Sequence, residues 1–185
     1  KSFLNKLKIF ILTSSNNGSA AYILPFLLSS EKIRISDVIL INNISSSKYL
    51  SYKRRLRKIS KIGILGAING LRMRKWYKEN VYNLLKPSDL RTICSKNDLS
   101  LKEINATSYR DAEEIIKSLN ADLGISLENT YIPESIFSIP SFGMINVHHE
   151  LLPEYQNAQS IIWQIYNGSN KTGFTIHKIN KNIDE

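Results

Sequence analysis

Apolar runs of strand length alternate with helix-like apolar stretches along most of the chain. Residues 6–12 and 37–41 are short runs rich in Ile and Leu, and an apolar stretch that begins at Ala20 has the length of a helix. Two strands separated by one helix are typical of a parallel crossover unit. The beginning of the chain therefore predicts a strand, a helix and a second strand.

The alternation continues after a basic segment in the middle of the chain. The pattern predicts helices over 111–119, 133–137 and 160–166, and strands over 92–94, 123–126, 144–148 and 172–178. Asn167-Gly168 supplies a left-handed stop signal after the last helix. These elements predict an α/β fold with an open, Rossmann-like, mostly parallel sheet and helices on both faces, in which ligands bind at the carboxyl ends of the strands.

Composition indicates one globular domain over residues 1–185. The chain has 185 residues, 42% of them hydrophobic, which is enough to bury a core. Cys94 is the single cysteine, so we expect no internal disulfide and no cysteine metal site. The longest apolar stretch, 20–28, is too short to span a membrane. We expect a soluble, cytoplasmic protein, and a domain that lacks its C-terminal end because the chain stops at Glu185 in a polar loop.

The net charge of +9 comes from one segment. Residues 48–78 contain eleven Lys or Arg and no Asp or Glu, whereas the rest of the chain is close to neutral. We predict a basic helical insertion at about 45–86, in which 59–71 form two short helices because Gly63, Gly66 and Gly70 interrupt the pattern. The insertion could bind tRNA, the diphosphate of a nucleotide sugar or an anionic membrane surface, or it could be a solvated helical face.

Asn146 and His148 supply the candidate chemistry. Side chains alternate along a strand, so these two share one face of the strand 144–148 and His149 takes the other. An amide can donate a hydrogen bond to an oxyanion, and an imidazole can donate or move a proton. Neither residue favours a buried parallel strand, which indicates a cleft, although two polar residues at a surface strand end are also common.

The wider motif resembles the folate-dependent formyltransferases. Asn-Val-His-His-Glu-Leu-Leu-Pro over 146–153 is followed, in order, by Trp163, Asn167-Gly168, Thr-Gly-Phe-Thr-Ile over 172–176 and Ile183-Asp184. That family includes glycinamide ribonucleotide, methionyl-tRNA and sugar-nucleotide N-formyltransferases, and the resemblance covers residues 121–185. It implies the formyltransferase fold, 10-formyltetrahydrofolate as co-substrate, no metal, and a catalytic trio of Asn146, His148 and Asp184.

The resemblance also implies binding residues outside the trio. The pterin of the folate is expected after strand 123–126, which is otherwise an ordinary connection to a helix, and near the last strand; the expected contacts are Leu127, Tyr131, Ile132 and Asn180. The acceptor's phosphate is expected in the turn before the first helix, at Asn17, Gly18 and Ser19. In the simpler interpretation Ser19 only caps that helix. His177 could face the site or make a core hydrogen bond, and the second interpretation is favoured.

These inferences favour an enzyme that moves a formyl group from 10-formyltetrahydrofolate to a primary amine on a small phosphorylated or nucleotide-linked acceptor. A methionyl-tRNA formyltransferase is the alternative among enzymes. A noncatalytic module that binds nucleic acid or an anionic surface through 48–78 is the alternative from another class. Residues 156–160 depart from many relatives, which carry Arg-Gly or Pro-Gly there, so the acceptor contacts stay open.

Overall fold

The computed structural model of the protein describes residues 6–42, 48–82, 89–105, 109–129, 131–156 and 160–182. Its strands are β1 (Leu7–Thr13), β2 (Ile33–Asn42), β3 (Leu101–Asn105), β4 (Leu123–Leu127), β5 (Met144–His148) and β6 (Thr175–Lys178). They form one six-stranded sheet in the order β3-β2-β1-β4-β5-β6. Every neighbouring pair is parallel except β5 and β6, which are antiparallel. The predicted open, mostly parallel sheet is confirmed.

Six helices accompany these strands in the described part of the chain. They are α1 (Ser19–Leu28), α2 (Lys48–Tyr77), α3 (Leu90–Lys96), α4 (Arg110–Leu119), α5 (Glu134–Phe137) and α6 (Ser160–Tyr166). A π-helical turn, Lys78–Tyr82, follows α2 directly. Within the described residues, no helix combines the length and the hydrophobicity that crossing a lipid bilayer requires.

The core lies on both faces of β1, the central strand. Phe10 and Leu12 are fully buried on one face, where residues of α4 and α5 pack against them. Ile11 points to the other face and packs with residues of α1 and α3. Burying one such side chain contributes about 1.5–3 kcal/mol. Helices therefore cover both faces of the sheet, as the alternation of strands and helices predicted.

Residues 92–94 are helical, so the strand predicted there is wrong. They lie inside α3, which Asp89 caps: its carboxylate accepts hydrogen bonds from the Thr92 backbone nitrogen at 3.2 Å and from Thr92 Oγ1 at 3.0 Å. An acidic residue at this position satisfies a backbone N–H that the helix itself leaves without a partner. The strand of this region is instead β3, at the edge of the sheet beside β2.

The basic segment forms a long helix with a break. Gly63 in α2 has φ 72° and ψ 170°, outside the helical region, so two helices meet there. The predicted pair of helices is confirmed, with bounds that extend well beyond 59–71. Leu65 is 78% exposed and Ile64 is 74% exposed. The described side chains of α2 therefore contribute little to the core, and a separate insertion over about 45–86 stays a prediction.

Candidate active site

Asn146 and His148 lie side by side near the carboxyl end of β5. Both are half-buried, whereas His149 beyond the strand is exposed. The parallel pairing places Asn146 opposite Ser126 of β4, and the antiparallel pairing places it opposite His177 of β6. Strand β5 therefore has a neighbouring strand on each side. Its two polar side chains lie near the carboxyl ends of the parallel strands, where α/β proteins bind ligands.

The carboxamide of Asn146 contacts His177. Asn146 Nδ2 and His177 Nε2 lie 3.3 Å apart across the antiparallel pair. An amide nitrogen only donates hydrogen bonds, so the ring nitrogen accepts in this arrangement. His177 therefore faces the candidate site, which was one of the two possibilities given for it.

His148 is tied to the loop that follows β5. Its Nε2 lies 2.7 Å from the backbone oxygen of Tyr155. A carbonyl oxygen only accepts, so Nε2 carries the hydrogen. Thr175 Oγ1 holds the same loop from β6, because it donates to the Glu150 backbone oxygen at 2.9 Å and accepts from the Leu152 nitrogen at 3.1 Å. The histidine is therefore held by both its strand and the loop.

Asp184, the third member of the predicted trio, lies outside the described residues. Its position beside His148 stays a prediction. Asn180 is described, and its Oδ1 accepts a hydrogen bond from the Asn182 backbone nitrogen at 2.7 Å. Because β6 runs antiparallel to β5, Asn180 lies beyond the end of β6 that pairs with Ile145, away from His148. The structure therefore does not bring Asn180 to the Asn146–His148 pair.

The residues predicted to contact the pterin differ in exposure. Leu127 is 1% exposed and packs with Ile11, whereas Ile132 is 4% exposed and packs with Leu12 on the opposite side of the sheet. Tyr131 is largely exposed. Of these three residues near the end of β4, only Tyr131 therefore has a side chain that a ligand can reach, and contacts from the other two would come from the backbone.

A carboxylate occupies the turn that was predicted to hold the acceptor's phosphate. Gly18 is the N-cap of α1 and provides no side-chain hydrogen bond, so Ser19 is not the cap that the simpler interpretation assumed. Glu128, directly after β4, fills this role from outside the helix, because its Oε1 accepts from the Ser19 backbone nitrogen at 3.2 Å. A negative group at a helix N-terminus is electrostatically favoured.

Asp89 adds a second carboxylate beside the same turn. The Asn16 carboxamide nitrogen donates hydrogen bonds to Asp89 Oδ1 and to Asn17 Oδ1, and the Leu90 backbone nitrogen donates to the Asn16 backbone oxygen at 2.9 Å. The hydrogen bond from Asn16 is the main cause that lowers the pKa of Asp89 below its ordinary value. Asp89 is therefore ionised at neutral pH.

One residue of this region, Glu128, escaped the sequence analysis. Its role depends on a left-handed backbone, φ 58°, after β4. The sequence showed only an acidic residue after a strand. Among the described residues, no group of three or more His, Cys, Asp or Glu side chains is arranged to hold a metal ion.

These features define an α/β protein with an amide and an imidazole at the carboxyl edge of a parallel sheet. The family model described as formyl transferase matches residues 80–185, more than half of the chain. The chain therefore belongs to the formyl transferase family, and the resemblance found in the sequence is confirmed.

Curated relatives match about half of the chain. A methionyl-tRNA formyltransferase of Ehrlichia canis is 32% identical over 103 residues, which cover 55% of this chain and 34% of the relative. A methionyl-tRNA formyltransferase of Flavobacterium psychrophilum is 35% identical over 102 residues, which cover 54% and 32% respectively. The matched segment thus spans about a third of each relative.

Solved structures share the fold over nearly the whole chain. A phosphoribosylglycinamide formyltransferase from Anaplasma phagocytophilum superposes with a TM-score of 0.63 at 14% identity, covering 98% of this chain and 68% of that one. A formyltetrahydrofolate deformylase from Pseudomonas syringae gives 0.60 at 13% identity, covering 97% and 47%. At such identities the likeness concerns the fold alone.

Proposed function

We propose that the protein transfers a formyl group from 10-formyltetrahydrofolate to a primary amine in the cytoplasm. The observation that carries the proposal is the placement of Asn146 and His148 on one face of β5, each held by a hydrogen bond, in a chain of the formyl transferase family. Preorganised donors of this kind stabilise the charge that develops in acyl transfer.

The amine nitrogen would attack the formyl carbon and form a tetrahedral species with a negatively charged oxygen. An amide nitrogen carries two hydrogens, so Asn146 Nδ2 can contact His177 with one and the oxyanion with the other. A protonated His148 ring has an N–H on each nitrogen and can donate to the oxyanion while Nε2 holds the Tyr155 oxygen. The C–N bond to the folate then breaks.

The proton of the attacking amine must reach the departing folate nitrogen. We propose that Asp184 favours the protonated ring of His148 and holds a water that relays this proton. The folate would lie against the loop after β4, where Tyr131 is the exposed side chain among the contacts predicted in that region. None of these steps requires a metal ion.

Methionyl-tRNA is the acceptor that we favour. The curated relatives are named for it, although the sequence analysis placed a small phosphorylated or nucleotide-linked amine first. The described basic side chains of α2 are exposed and can contact phosphates of a nucleic acid. The feature that favoured a small phosphorylated acceptor is the turn at Asn17–Ser19. The carboxylate of Glu128 occupies that turn, which weakens the case for such an acceptor.

An acceptor panel tests the proposal. The protein is incubated with 10-formyltetrahydrofolate and, separately, methionyl-tRNA, glycinamide ribonucleotide or an amino-sugar nucleotide, and loss of the formyl donor is followed. We expect turnover with methionyl-tRNA, and a loss of about 10²–10³ in turnover for Asn146→Ala and for His148→Ala. His149→Ala is the matched control, because His149 is exposed beyond the strand and should keep near-normal turnover. Normal turnover in either site variant, or binding of tRNA without any turnover, contradicts the proposal.

A further inference from the structure

Glu128 lies in the space that a side chain on residue 18 would need. A Cβ atom added to Gly18 would come within 1.6 Å of Glu128 Oε2 and 2.5 Å of its Cδ. The other carboxylate oxygen accepts from the Ser19 backbone nitrogen. The glycine thus lets the carboxylate approach the N-terminus of α1, the position that an external anion would take.

The surrounding loop fixes the backbone of Glu128. Its backbone is left-handed, with φ 58°, which is uncommon for a residue with a side chain. Its carbonyl oxygen accepts a hydrogen bond from Ser14 Oγ, and the next residue, Asn129, donates from Nδ2 to the Leu12 oxygen at 2.7 Å and to Ser126 Oγ at 3.0 Å. The two central strands therefore anchor the loop that presents the carboxylate to the turn.

A phosphate at this turn would meet the negative charge of Glu128, and a second carboxylate is bound to the same turn. Glu128 already accepts from the Ser19 nitrogen, and Asp89 accepts from the carboxamide of Asn16, two residues before Gly18. At about 4 Å in water, one pair of like unit charges changes an affinity about fivefold, and a phosphate dianion roughly squares that factor. The charges of the described residues therefore disfavour an anion at this turn, although the start of a helix offers backbone N–H donors to one.

We propose that Glu128 is an acceptor-specificity residue: it occupies the anion position of the Gly18–Ser19 turn and excludes phosphate groups from it. The inference concerns the acceptor of the formyl group, so it rests on the proposed formyl transfer. The part of the acceptor that lies against the turn is then uncharged or cationic, and amines with a phosphate at that place are rejected.

Phosphate binding at the turn tests the inference without any measurement of formyl transfer. Inorganic phosphate and ribose 5-phosphate are titrated into the protein while the backbone amide signals of Gly18 and Ser19 are followed by NMR. Glu128→Gln removes the charge and keeps a side chain of the same size, and Glu128→Ala removes the group. Glu31→Gln is the matched control, because Glu31 is an exposed acid beyond the opposite end of α1.

We expect both Glu128 variants to bind phosphate at least about fivefold more tightly than the unchanged protein, with the shifts centred on Gly18 and Ser19. Glu31→Gln should behave like the unchanged protein. Equal phosphate affinity in all four proteins, or an equal gain in the control, overturns the inference. If the acceptor panel fails while the Glu128 variants gain phosphate binding, the formyl-transfer proposal is wrong and the exclusion of phosphate stands.

Discussion

The carboxamide nitrogen of Asn146 lies 3.3 Å from Nε2 of His177, across the antiparallel pair of β5 and β6. The contact restricts rotation of the carboxamide, which otherwise could present either its oxygen or its nitrogen to a substrate. A group that stabilises an oxyanion must present a donor, so the orientation decides whether Asn146 can act. His177 is therefore a positioning residue for the proposed reaction.

Removing the His177 ring should lower turnover without abolishing substrate binding. We expect His177→Ala to reduce kcat by about tenfold to a hundredfold, because a misplaced donor stabilises the transition state poorly. The KM for the folate should change little, since Asn146 acts on the reacting carbonyl. His177→Gln, which keeps a polar group near the same place, should recover part of the loss. Equal kcat in the unchanged protein and in His177→Ala would show that Asn146 needs no support from β6.

The edge of the sheet at β3 should respond to acid through Glu103. Its carboxylate accepts from Arg91 Nε at 2.6 Å, from Arg91 Nη2 at 2.8 Å and from Asn42 Nδ2 at 3.1 Å. These hydrogen bonds, above all those from Arg91, lower the pKa of Glu103 from 4.5 to about 2. A pKa that is lower in the folded state stabilises the fold above pH 4.5 and loses this effect as the pH falls toward 2.

Glu103→Gln should therefore weaken the dependence of thermal stability on pH in that window. Thermal unfolding midpoints, measured at intervals between pH 4.5 and about 2, should fall less steeply for this variant than for the unchanged protein. Arg91→Gln should have the same effect, since it removes the other partner. Glu31→Gln, an exposed acid elsewhere, is the control. Identical slopes for Glu103→Gln and the control would assign the acid sensitivity to other groups.

The alternation of apolar runs predicted the sheet because its central strands are buried on both faces. Residues 92–94 misled the prediction, since Thr, Ile and Cys form a run that is too short to show helical periodicity. Asp89 was the missed signal, an N-cap residue placed before the run. Strand β3 was missed for a different reason. It is a partly exposed edge strand with adjacent Lys102 and Glu103 in its middle, and pairing with β2 makes it a strand.

The candidate site was predictable only as far as local geometry determines it. Asn146 and His148 share a face because they are two positions apart on one strand, and that periodicity is visible in the sequence. The partners His177 and Glu128 depend on strand register and on one left-handed residue, which tertiary structure decides. Contacts between distant segments therefore had to come from the folded chain.

Contacts of α2 with nucleic acid should appear in the salt dependence of binding. We expect binding of methionyl-tRNA to weaken linearly on a logarithmic salt scale, and the double variant Arg72→Gln and Arg74→Gln to reduce the slope by about 1 to 2. Both side chains are exposed on α2. The double variant Lys32→Gln and Arg34→Gln is the control, because it removes the same charge at the start of β2, outside the basic segment. Equal slopes for the two double variants would leave α2 without a role in tRNA binding.

The next positions to substitute belong to the same basic segment and are Arg54, Arg55 and Arg57.

Gly18 and Glu128 should be energetically coupled, because one creates the space that the other fills. The Gly18 backbone, φ −107° and ψ −159°, is open to any residue, so Gly18→Ala is opposed by neighbouring side chains and not by backbone strain. Its new Cβ would meet the Glu128 carboxylate and, at 2.7 Å, Ser15 Oγ. Both are ends of flexible side chains, so they should move aside, and the carboxylate should leave the helix N-terminus.

Thermal or denaturant unfolding of the two single variants and the double variant measures this coupling. Gly18→Ala should destabilise the unchanged protein by roughly 0.3–1 kcal/mol through loss of the carboxylate at the N-terminus of α1, beyond any small effect of replacing the glycine cap. In the Glu128→Ala background the same substitution should cost less, because the carboxylate is already gone and only Ser15 remains to move. Strictly additive effects would mean that the carboxylate does not stabilise the helix, and the turn would then be open to an external anion.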